Sequence, residues 1–93
     1  MRFEGLEAFV RVVEAGSFSA AAERLGIARS MVSRRIAELE NYLDAQLLQR
    51  TTRRLSLTEA GRTFYEQASR ILIDLEEAEQ SLARGQAALR GRL

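Results

Sequence analysis

The sequence predicts a mainly α-helical domain that carries one small β-hairpin and ends in a helix too long for its own body to cover. Three observations lead there. Apolar residues recur three and four apart through most of the chain, the spacing of one helix face. A short stretch around Leu55 departs from that period and alternates leucines with polar residues. With 93 residues, the chain is shorter than an average domain, so it can build one compact core and one appendage.

The composition, 46% hydrophobic and 29% charged, is apolar enough to fold rather than stay disordered. From Phe3 to Gly16, the residues Leu6, Phe9, Val10 and Val13 fall on one helix face, and Gly16 is a natural stop. Ser19 suits the N-cap of a short second helix over residues 20–25, whose three consecutive alanines allow close packing. Gly26 breaks it. After Ile27 and Ala28, a third run carries Val32, Ile36, Leu39 and Leu43 at steps of four, three and four. The two runs form a helix, a tight turn and a helix. Residues 45–57 read as a two-stranded hairpin with a basic tip.

Thr58 is a good N-cap for the last element, and Glu59 sits well at the positive end of its dipole. From there Phe64, Ala68, Ile71, Leu75, Ala78 and Leu82 alternate four and three apart, and the pattern continues through Gly85 to Leu89. That is a heptad seam. A helix over 59–88 runs roughly 45 Å at about 1.5 Å per residue, so the seam needs a partner helix. These six residues are the expected contacts with that partner, the dimer interface if the partner is a second copy.

The sequence contains neither cysteine nor histidine, which removes disulfides, zinc fingers, thiol catalysis and histidine acid–base chemistry together. Glu4, Glu7, Glu76, Glu77 and Glu79 belong to helix surfaces and pair with no nucleophile or phosphate loop. No catalytic residue, metal site or cofactor is expected. No apolar run approaches the roughly 20 residues of a membrane span, and Met1-Arg2-Phe3-Glu4 opens no signal peptide, so the expected location is cytoplasmic.

The net charge of +1 conceals a segregation. All 14 cations are arginines, the residue whose fork suits phosphate and guanine edges. Between Ala28 and Leu57, six arginines face three acids, and from Ala45 to Thr58 three arginines stand with no acid at all. The remaining residues are net acidic. On the third helix, Val32, Ile36, Leu39 and Leu43 commit one face to the core and leave Arg29, Ser30, Ser33, Arg34 and Ala37 outside. By itself such a stripe fits an ordinary solvated face or a helix lying in a major groove. The adjoining basic hairpin, able to grip phosphate or enter a minor groove, favours nucleic acid.

The order of residues then becomes recognisable. Ser17-Phe18-Ser19-Ala20-Ala21-Ala22-Glu23-Arg24-Leu25, Val32-Ser33-Arg34-Arg35-Ile36 with Leu39-Glu40, Arg50-Thr51-Thr52-Arg53-Arg54 and Leu57-Thr58-Glu59-Ala60-Gly61 closely resemble the LysR-type transcriptional regulators. The resemblance covers nearly the whole chain in register. It implies a winged helix–turn–helix over residues 1–58 and a linker helix over 59–88 that pairs antiparallel in a homodimer. It also implies double-stranded DNA with an inverted-repeat site as the partner. Arg29, Ser33 and Arg34 would read bases in the major groove with Ser30 and Met31 beside them, while Arg53 and Arg54 at the wing reach the minor groove. Ser17, Arg35, Arg50, Thr51 and Thr52 would contact phosphate. Met31 can either touch a thymine methyl or tuck beside the first helix.

Three residues depart from the family pattern: Ala28 where a capping serine is common, Arg29 where glutamine is frequent, and Asp44 where glycine usually ends the recognition helix. Losing the cap costs about 1 kcal/mol unless Ser30 caps a later start. Asp44 has to take a left-handed conformation less easily than glycine, and Arg29 is expected to change base preference. Residues 89–93 are expected to open the hinge to a further domain, through which the family senses a small-molecule effector. The competing expectation is a protein-interaction module, in which a degenerate helix–turn–helix merely supports a dimerising helix.

Overall fold

The computed structural model describes residues 3–50 and 54–91. In chain order its elements are α1 (Phe3–Ala15), α2 (Phe18–Leu25), α3 (Arg29–Leu43), β1 (Leu48–Arg50), β2 (Leu55–Leu57) and α4 (Glu59–Gly91). The hairpin pairs antiparallel, with Leu48 opposite Leu57, Gln49 opposite Ser56 and Arg50 opposite Leu55.

The central element is α1. Its Phe9 and Val12 join Ala21 and Ala22 of α2, Val32, Ile36 and Leu39 of α3, and Leu47 and Leu48 at the wing in the main core. Its Leu6 and Val10 face the other way, onto Ala68 and Leu72 of α4. Val12 is fully buried although the sequence stripe passes it by, because α1 is covered on several sides and one stripe understates what it must bury. Phe9 joins the two clusters, its ring 5.8 Å from that of Phe64 and 6.3 Å edge-on from that of Tyr65.

The helix ends explain the turn. Ser17, rather than the expected Ser19, caps α2: its backbone is extended and its Oγ accepts the Ala20 N–H at 3.1 Å. The helix therefore begins two residues earlier, where Phe18 packs against the main core. At the other end Gly26, at φ 69°, takes the left-handed conformation that closes the helix and turns the chain toward α3. Ala28 occupies the N-cap of α3 with no side-chain hydrogen bond, and Ser30 lies inside the helix and does not replace it. Asp44 does adopt the left-handed conformation, at φ 52°, the one non-glycine residue with positive φ among the described residues.

The wing is fastened at its base. Glu40 Oε2 accepts the N–H groups of Leu47 and Leu48, at 2.8 and 3.2 Å. Thr58 caps α4 as expected, its Oγ1 accepting the Gly61 N–H at 2.9 Å. The same hydroxyl donates toward the carbonyls of Gln46 and Leu47, and the Thr58 N–H donates to the Leu47 carbonyl at 3.0 Å. Gly61 is buried where α4 crosses the segment leading into β1, so close that a Cβ would meet the Leu47 backbone.

The first turns of α4 lie on the body, and Arg11 of α1 reaches Glu76 at 3.2 Å as well as Glu14 at 2.9 Å. Glu14 foremost holds the Arg11 guanidinium above its ordinary pKa. The rest of α4 projects, which makes the molecule 57 Å long but only 24 by 19 Å across. The structure thus divides the sequence seam. Ala68 is 0% exposed within its own chain, beside a buried Leu72 that the seam omits, whereas Ile71, Leu75 and Leu82 remain 53%, 38% and 65% exposed.

Candidate nucleic-acid interface

The candidate face is built by the helix pair α2 and α3. Val32, Ile36 and Leu39 are buried under α1 and α2, which fixes the rotation of α3 and turns Arg29, Ser30, Arg34 and Ala37 outward, with Ser33 half-buried at the edge. No acid stands in the first turn of α3. The side chains on this face are short or forked, a shape that lets a helix enter a groove about 12 Å wide and reach base edges.

The two flanks differ. On one, Arg29 lies over the ring of Phe18, its Cζ 5.8 Å from the ring centroid. On the other, Met31, Arg34, Arg35, Glu38 and Tyr42 line a hollow with Glu4 and Gly5 at the start of α1. Met31, 38% exposed, is therefore both accessible and set against the first helix, so the two expectations for it are compatible. Arg35 is half-buried on this flank rather than on the open face.

Ser17 is exposed at the N-terminus of α2, its Oγ lone pair engaged by the Ala20 N–H. Arg50 ends β1 and Arg54, which is exposed, precedes β2, so both arginines flank the wing tip. Across the strands Ser56 Oγ donates to Gln49 Oε1 at 3.1 Å. Thr51, Thr52 and Arg53 lie outside the described residues.

Sequence reasoning missed the parts played by Glu40, Gly61 and Leu72 and the contact of Phe18 with Arg29. The alternation of apolar residues that places α3 also places Glu40 beside its core stripe, and this was the available signal for Glu40. Gly61 stood inside the family motif Leu57-Thr58-Glu59-Ala60-Gly61, but periodicity and composition supplied no physical reason for it, since its necessity arises where α4 passes the Leu47 backbone.

Residues 3–62 match the family model of the bacterial regulatory helix-turn-helix proteins, lysR family. The chain belongs to that family. An HTH-type transcriptional regulator of Xanthomonas campestris pv. campestris is 53% identical to this lysR-family chain over 83 residues, 89% of the chain and 24% of the relative. CrgA, an HTH-type transcriptional regulator of Neisseria meningitidis, is 52% identical over 79 residues, 85% of the chain and 26% of CrgA. The chain thus spans about a quarter of the length of these relatives.

Two solved structures share its winged helix–turn–helix fold over nearly their full length. The BenM DBD–catB site 1 DNA complex superposes with a TM-score of 0.83 at 38% identity, covering 90% of this chain and 93% of that one. The CbnR DBD–DNA complex gives 0.76 at 42% identity, covering 95% and 98%. No helix among the described residues is long and apolar enough to cross a membrane.

Proposed function

We propose that this lysR-family chain is the DNA-reading and dimerising part of a transcription regulator, inserting α3 of each protomer into the major groove of one half of an inverted-repeat site. The observation that carries this reading is the fit to two DNA complexes over more than nine-tenths of their length. It is supported by the acid-free stripe on α3. Arg29, Ser30, Met31, Ser33 and Arg34 read base edges. Arg53 and Arg54 serve the minor groove at the wing, and Ser17, Arg35, Arg50, Thr51 and Thr52 hold phosphate. Residues 1–58 form the reading unit and 59–88 the arm through which two copies pair. A small-molecule effector acts through a domain that 89–93 lead toward.

Pairing is supported by the exposed stripe Ile71, Leu75 and Leu82, continuous with a groove where Leu43, Ala45, Leu47 and Phe64 meet Ala68 and Ile71. Such an apolar surface is what a second helix covers. The reading assigns the chain no enzymatic step, since it has no histidine or cysteine and its carboxylates lie mostly on open helix surfaces. Its place is the bacterial cytoplasm, with the DNA.

Titrating specific and scrambled duplexes at several salt concentrations tests the proposal. The expected result is a log affinity that falls steeply and linearly with log salt. Arg34→Ala should lower specific affinity by about 1–3 kcal/mol, with less effect on scrambled DNA, whereas Arg53→Ala weakens both. Absence of duplex binding at low salt overturns the reading in favour of the protein-interaction module.

A further inference from the structure

We propose that Phe18 is a positioning residue for base reading: its ring holds the Arg29 guanidinium so that the N–H donors point to a guanine at the edge of each half-site. The proposal rests on the DNA reading above.

The two residues open successive helices. Phe18 is the first residue of α2 and Arg29 the first of α3, and the turn through Gly26 brings them together. Phe18 is half-buried, one side packed against the main core, while Arg29 is exposed. The 5.8 Å between guanidinium carbon and ring centroid lies within the range in which a cation is attracted by an aromatic face. The backbone does not favour a cation there, because the N-terminus of α3 is the positive end of its dipole. The ring therefore holds Arg29 where the helix would repel it.

The contact suits reading because an aromatic face takes up the cation's charge without accepting a conventional hydrogen bond. The N–H donors of the guanidinium stay available in their plane, and guanine O6 and N7 require two of them side by side. An unrestrained arginine loses much rotamer freedom when a base fixes it. One already leaning on a ring anchored in the core loses less.

The test is a double-mutant cycle on base preference. Duplexes varied one base pair at a time are titrated with the wild-type chain, Phe18→Leu, Phe18→Tyr, Arg29→Ala and Phe18→Leu combined with Arg29→Ala. Phe18→Leu should reduce preference about two- to fivefold at the guanine position that Arg29→Ala also affects, and nowhere else. Phe18→Tyr should retain it, and Phe18→Leu should change no preference once Arg29 is alanine. Uniform weakening across all duplexes, or an unchanged effect of Phe18→Leu in the alanine background, overturns the proposal. A readout on the unbound wild-type chain covers a variant that fails to fold: side-chain proton resonances of Arg29 shifted upfield by the ring are expected, and ordinary shifts overturn the stacking. A chain with the shifted resonances that binds no duplex overturns the DNA reading, and the reading role with it, while leaving the contact intact, so the two failures are told apart.

Discussion

Gly61 shows how much can depend on one missing methyl. A Cβ there would run into the Leu47 carbonyl, and that oxygen is already engaged by the Thr58 N–H and hydroxyl. Neither backbone can withdraw without opening the base of the wing. Gly61→Ala should therefore destabilise the chain by about 3 kcal/mol, seen as a lowered urea midpoint; an unchanged midpoint would mean that α4 and the wing are not so tightly crossed. Ala28 offers the opposite case. Its backbone, at φ −70° and ψ 148°, already has the extended conformation of a capping residue and lacks only the side-chain oxygen. Ala28→Ser should stabilise by about 1 kcal/mol. For a domain of this size that is a rise of about 4–8 °C in Tm by calorimetry.

At the level of elements, the helices were legible because burial leaves a periodic mark. Leu6, Phe9, Val32, Ile36 and Leu39 lie in the sequence at the spacing their faces require, and each is buried. The cap of α2 was less legible, as Ser17 and Ser19 flank Phe18 and either could serve by type. The packing of Phe18 decides between them. On the candidate interface the outward stripe of α3 was readable, since it is the complement of the core stripe. Glu40 was not: an acid on a helix flank resembles a solvated one until the next strand arrives beside it. Its carboxylate satisfies two backbone N–H groups of residues whose side chains are buried. Glu40→Ala should cost about 2–3 kcal/mol and speed hydrogen exchange at the Leu47 and Leu48 amides. Unaltered exchange there would show that the wing is held by other means.

For the whole molecule, the governing feature is a compact body with an uncovered arm. The proposed dimer predicts that Leu75→Glu places a charge in the middle of the paired stripe and yields monomers by light scattering, with the body still folded by circular dichroism. A persistent dimer would move the interface elsewhere. The same variant should lower affinity for a two-half-site duplex far more than for a single half-site, because only the former depends on linked binding.

Thr58 has a mechanical meaning beyond capping. The hydroxyl that starts α4 also grips the strand leading into the wing, so arm and wing turn on one shared bearing. Over 33 residues α4 is a lever of roughly 50 Å. A tilt of about 10° about Thr58 sweeps its far end through roughly 9 Å and moves the turn at Gly61 by less than about 1 Å, and the seating of Ala68 and Leu72 on α1, which the same tilt would shift by up to about 4 Å, is what resists it. Large displacements at the tip of the arm thus arrive at the wing geared down to adjustments the size of a hydrogen bond.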